Sequence, residues 1–172
     1  MVPAARLALV LVSALVVQLG LFTDVRVLGV APDLMLLVAV AAGLIGGANH
    51  GAIIGFVAGL LIDLWIPTPL GMSALAYSLT AFGIGSLVDS GVRAEGVLAV
   101  GYCALGSAAG VTLFAVVGGL TGQPNVWTDD VARVIVVSSL FNTLLAPLAL
   151  VALRWAEADS DARSGTGVRM VN

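Results

Sequence analysis

Residues 32–66 read PDLMLLVAVAAGLIGGANHGAIIGFVAGLLIDLWI. The only charges in this run are Asp33 near its start and Asp63 near its end, and its middle is Gly46-Gly47-Ala48-Asn49-His50. Such a stretch predicts two membrane helices, 32–48 and 51–66, because so short a link forces antiparallel neighbours. Both are short: at 1.5 Å per residue they reach ~25 Å, against a hydrocarbon core of ~30 Å. The pair must extend into its flanks, thin the bilayer, or form a re-entrant hairpin.

Working outward, apolar runs at 4–22, 71–88, 97–120 and 131–153 complete a count of six transmembrane helices. The first looks like the basic and apolar regions of a signal peptide, but no small-residue cleavage site follows Gly20, so it reads as a retained helix. The expected fold is an all-α, polytopic membrane helix bundle over 1–153, with a polar, disordered cytoplasmic tail over 154–172. Composition agrees. Of 172 residues, 60% are apolar and 10% charged, with a mean hydropathy of +1.12, whereas soluble domains carry roughly 25% charge. This excludes a soluble enzyme, a disordered chain and a nucleic-acid-binding domain, which would need a basic face.

Arginine placement sets the orientation. All seven basic residues are arginines. With six helices, Arg6, Arg93, Arg154, Arg163 and Arg169 share one side, and Arg26 and Arg133 the other. Both termini are therefore expected in the cytoplasm, with Trp65 and Trp127 at the outer interface and Trp155 at the inner one.

Within the spans, Gly51, Gly55 and Gly59 form overlapping small-xxx-small steps suited to close helix packing or to docking a partner's helix. Gly106 and Gly110 repeat the pattern more weakly. Asp33, after Pro32, suits a helix N-terminus. Asp63 lies near the outer end of its helix, where the dipole favours cations, so it needs solvation or a partner; Arg26 is the nearest basic residue by topology. Both acids are placed at one outer face. Asn142 and Thr143 beside Pro147, together with Tyr77, Tyr102, Ser78 and Ser86, read as structural polar groups, and His50 as a solvated turn residue. With one histidine, one cysteine (Cys103) and no lysine, no catalytic, metal or cofactor site is expected.

Three pieces carry a resemblance: Pro32-Asp33-Leu34-Met35-Leu36-Leu37; Gly51-x3-Gly55-Phe56-x2-Gly59-Leu60-Leu61-Ile62-Asp63-Leu64; and Pro69-Leu70-Gly71-x2-Ala74-Leu75-Ala76-Tyr77. In order and spacing they resemble the rod shape-determining protein MreD family, with Asn49-His50 standing where that family often has basic residues. The resemblance implies a non-catalytic scaffold in the bacterial inner membrane that takes part in cell elongation. Its implied partner is an MreC-like single-span protein and, through it, an MreB-like filament and the glycosyltransferase and transpeptidase of peptidoglycan synthesis. Candidate packing or partner-binding residues are Asp33, Gly51, Gly55, Gly59, Asp63, Pro69 and Gly71. The family is also similar in helix number and size to the substrate-binding subunits of vitamin transporters, which supplies the alternative function.

Overall fold

The computed structural model describes residues 3–20, 29–122 and 131–158. Five helices follow in order: α1 (Pro3–Gly20), α2 (Leu34–Asp63), α3 (Met72–Asp89), α4 (Gly96–Leu120) and α5 (Val131–Glu157). Three of them, α2, α4 and α5, are long and apolar enough to cross a membrane by length and composition.

The second and third expected helices are the two arms of one helical run, α2. Continuity ends at Gly47, the one residue inside α2 with non-helical geometry (φ 80°, ψ −174°). A straight helix would hold Gly43 and Gly51 ~12 Å apart. Instead, a Cβ built on Gly51 would stand 2.5 Å from the Gly43 Cα. The chain therefore reverses at Gly47, and the two arms, 34–46 and 48–63, run antiparallel. A single glycine suffices because its positive φ costs it little. Asn49 and His50, read from sequence as part of the link, are the first turn of the second arm.

The first arm is the axis of the molecule. Every residue from Met35 to Leu44 is buried, as expected for a helix apolar on all sides. α3 lies along the hairpin: Gly43 and Gly51 face the Ala81 carbonyl, Gly55 faces the Tyr77 backbone, Gly59 the Ala74 backbone, and Gly85 faces Ala48. α4 runs antiparallel to the first arm, with Gly106 against Val40 and Gly110 against Leu36. α1 packs on both α2 and α5.

α5 runs to Glu157, four residues past its expected end and into the segment read as tail. Leu153 and Ala156 are buried, and Arg154 in the last turn suits the negative end of the helix. The Arg6 guanidinium lies 5.3 Å from the Trp155 ring centroid, so the start of α1 and the end of α5 meet at one end of the bundle. The rest of the expected tail, 159–172, lies outside the described residues, as do Arg26 and Trp127.

Candidate functional site: a polar knot and an aspartate exchange

Pro32 precedes α2, and Asp33 caps it: the Asp33 carboxylate accepts from the Leu36 N–H at 3.0 Å. One turn of α2 thus begins with a fixed polar end, and four other helices converge on it. From α1, the Gln18 carbonyl accepts from the Met35 N–H (2.9 Å). From α3, the Tyr77 hydroxyl donates to the Asp33 carboxylate. From α5, the Asn142 side chain accepts from the Asp33 N–H (3.1 Å) and donates to the Asp33 carbonyl (3.0 Å). The same amide donates to the Ser107 hydroxyl of α4 (3.1 Å). Asn142 and Ser107 are fully buried.

This knot is deep. Asn142 lies ~16 Å along α5 from its start and ~22 Å from its end, at 1.5 Å per residue. Both acids were expected at one outer surface; in the structure Asp33 opens the first arm of α2 and Asp63 closes the second, which the antiparallel register brings to the same end of the hairpin. At the depth of Asn142 backbone groups have no water, and the side chains of Gln18 and Asn142 take its place.

Asp63 was expected to need a cation. Arg26 lies outside the described residues, and the carboxylate is satisfied another way. It accepts from the N–H groups of Gly71 (2.8 Å), Ser73 (3.1 Å) and Ala74 (3.3 Å). The helix end that matters is the positive start of α3, which the loop 64–71 folds back onto Asp63. Gly71 allows this with φ 96°, and the Pro69 carbonyl accepts from the Met72 N–H (3.1 Å). At the opposite end the exchange is returned: Asp89, which closes α3, accepts from the Ala48 N–H (2.9 Å) at the start of the second arm. Each of these paired helices ends in the aspartate that caps the other. Sequence reasoning passed over Asp89; an acid directly before Ser90-Gly91 at a helix end was the available signal. It also passed over the reach of Asn142, although a lone amide in an apolar span was visible.

The other candidates fall as follows. Gly51, Gly55 and Gly59 face α3 and the first arm, with a Cβ on Gly55 standing 2.7 Å from the Tyr77 carbonyl oxygen. The stripe is thus occupied within the molecule. His50, read as solvated, lies 2.8 Å from the Glu157 carboxylate, joining the hairpin tip to the end of α5. The knot brings together carboxylate, phenol, hydroxyl and amide, with no basic side chain at any of its hydrogen bonds. Among the described residues no group of three histidine, cysteine or acidic side chains could hold a metal. What the arrangement does is lock five helices in register.

Over residues 4–148 the chain matches the family described as rod shape-determining protein MreD. The chain belongs to the MreD family. With MreD membership come a role in rod shape determination and, given three helices of membrane-spanning length, a place in the inner membrane. No curated relative and no solved structure matches the chain. Asp33, Gly51, Gly55, Gly59, Asp63, Pro69 and Gly71 all fall inside the MreD match, and the structure gathers them along the hairpin and its junction with α3.

Proposed function

We propose that this MreD-family chain is a non-catalytic scaffold that binds an MreC-like single-span protein and, through it, positions and regulates peptidoglycan synthesis. Family membership over nearly the whole chain carries the reading. The use of the buried polar groups supports it: Asp33, Asp63, Tyr77, Ser107 and Asn142 serve to hold helices together. In this reading the α2 arms count as two crossings, giving six spans with both termini in the cytoplasm. The Asp63-clamped loop 64–71 is then a rigid edge on the periplasmic side, where Asp63, Pro69 and Gly71 shape the contact with the partner.

Affinity purification in mild detergent tests this reading. An MreC-like protein should co-purify, and Asp63→Leu should reduce its recovery at equal scaffold abundance. Recovery of transporter ATPases without any wall-elongation protein would overturn the scaffold in favour of a transport subunit.

A further inference from the structure

A groove of about 530 Å³ runs along the face of the bundle between α1 and α5, with the first arm of α2 as its floor. Val10, Ala14, Leu37, Leu145 and Ala149 line it, and Ser13 is the one polar side chain in its walls. The groove ends at Trp155, and there its chemistry changes. Arg6 lies over the Trp155 ring at 5.3 Å and donates to the Trp155 carbonyl at 3.5 Å. Arg154, exposed, directly precedes Trp155 in the last turn of α5. A tryptophan between apolar walls and two arginines is the arrangement found where a bilayer's hydrocarbon meets its headgroups.

Size separates the possible occupants. A transmembrane helix ~10 Å wide and ~30 Å long fills roughly 2,400 Å³. A groove a fraction of that size cannot enclose a helix, whereas an extended acyl chain fits within it. Guanidinium groups present forked donors matched to phosphate oxygens. We propose that the groove binds one anionic phospholipid, its acyl chain between α1 and α5 and its phosphate at Arg6 and Arg154. The lipid would seal the seam where α1 meets α5, on the side of the bundle away from α3. The inference requires only that the bundle lie in a bilayer and stands whether or not an MreC-like partner binds.

Trp155 is the reporter for its test. Trp65→Phe and Trp127→Phe leave it as the one tryptophan of three. This protein is reconstituted in phosphatidylcholine vesicles containing a small fraction of chain-brominated phosphatidylglycerol or chain-brominated phosphatidylcholine. The expected result is quenching by the anionic lipid at a mole fraction at least roughly fivefold lower, the preference one arginine near a membrane surface supplies. Arg6→Gln with Arg154→Gln should bring the two lipids together, and Ala149→Phe, which fills the groove, should reduce quenching by both. Equal quenching by the two lipids in the parent protein would overturn the proposal, as would a preference that survives loss of both arginines. Undiminished quenching in Ala149→Phe would place the lipid outside the groove and overturn it equally.

Discussion

Asp63 and Asn142 show how a single polar side chain can be buried in an apolar bundle. Asp63 receives three backbone N–H groups at the start of α3, so its role is that of a cap. An amide oxygen can still accept some of those bonds, whereas an apolar side chain accepts none. Asp63→Asn should therefore cost no more than ~1 kcal/mol, and Asp63→Leu ~2 kcal/mol or more, the upper range for losing a cap. Unfolding in mixed detergent, followed by tryptophan fluorescence, measures the difference; equal losses would mean that charge rather than hydrogen bonding sets the role of Asp63. Asn142 is the second case. Interhelical hydrogen bonds in membranes average only ~0.6 kcal/mol, but Asn142→Leu leaves the Asp33 N–H without a partner, while the Asp33 carbonyl keeps the Leu37 N–H. Leaving a buried group unpaired costs ~1–3 kcal/mol, so the same assay should show a loss of that size.

At the scale of elements, the hairpin and α3 form the rigid unit, because glycines bring their backbones together. Gly55→Leu and Gly59→Leu would drive a side chain into the α3 backbone, where overpacking costs ~1–3 kcal/mol or more. Folded yield in detergent should fall sharply for both, while Ile53→Leu, on an exposed position, should leave it unchanged. Wild-type yield from both glycine variants would mean that α3 does not contact the stripe. The aspartate exchange makes a second prediction. Asp63 and Asp89 cap opposite ends of one helix pair, too far apart to share partners. Asp63→Ala should then destabilise by ~2 kcal/mol and Asp89→Ala by ~1 kcal/mol, and the losses should add in the double variant, as independent sites do. Strong non-additivity would show that the pair melts as one unit.

At the scale of the whole molecule, the reversal at Gly47 fixes parity. Whether the tip of α2 reaches the far interface or stops short, the chain returns to the side from which it entered, and the start of α1 and the end of α5 lie at one end of the bundle. The contacts agree: Arg6 of α1 meets Trp155 of α5, and His50 at the hairpin tip meets Glu157. Reporter fusions at residue 172 and at residues 123–125 should report opposite sides, cytoplasmic and periplasmic. A periplasmic report from residue 172 would overturn the orientation drawn from the arginines.

The sequence by itself determined the class, the family and the reversal. Apolar runs of spanning length leave no soluble alternative, and glycines at a tight link can only join antiparallel helices. The motifs around Asp33, Gly55, Asp63 and Gly71 were equally legible, since composition and local spacing are properties of the chain alone. Tertiary structure decided partnership. Asp63 looked like an acid at the wrong helix end because its own helix is all that sequence neighbours reveal. The dipole that stabilises it belongs to α3, brought there by the loop 64–71. Asn142 likewise reaches a residue more than a hundred positions away. Hydrogen bonds deep in a bilayer go to whichever buried groups packing leaves without water, and only packing decides which those are.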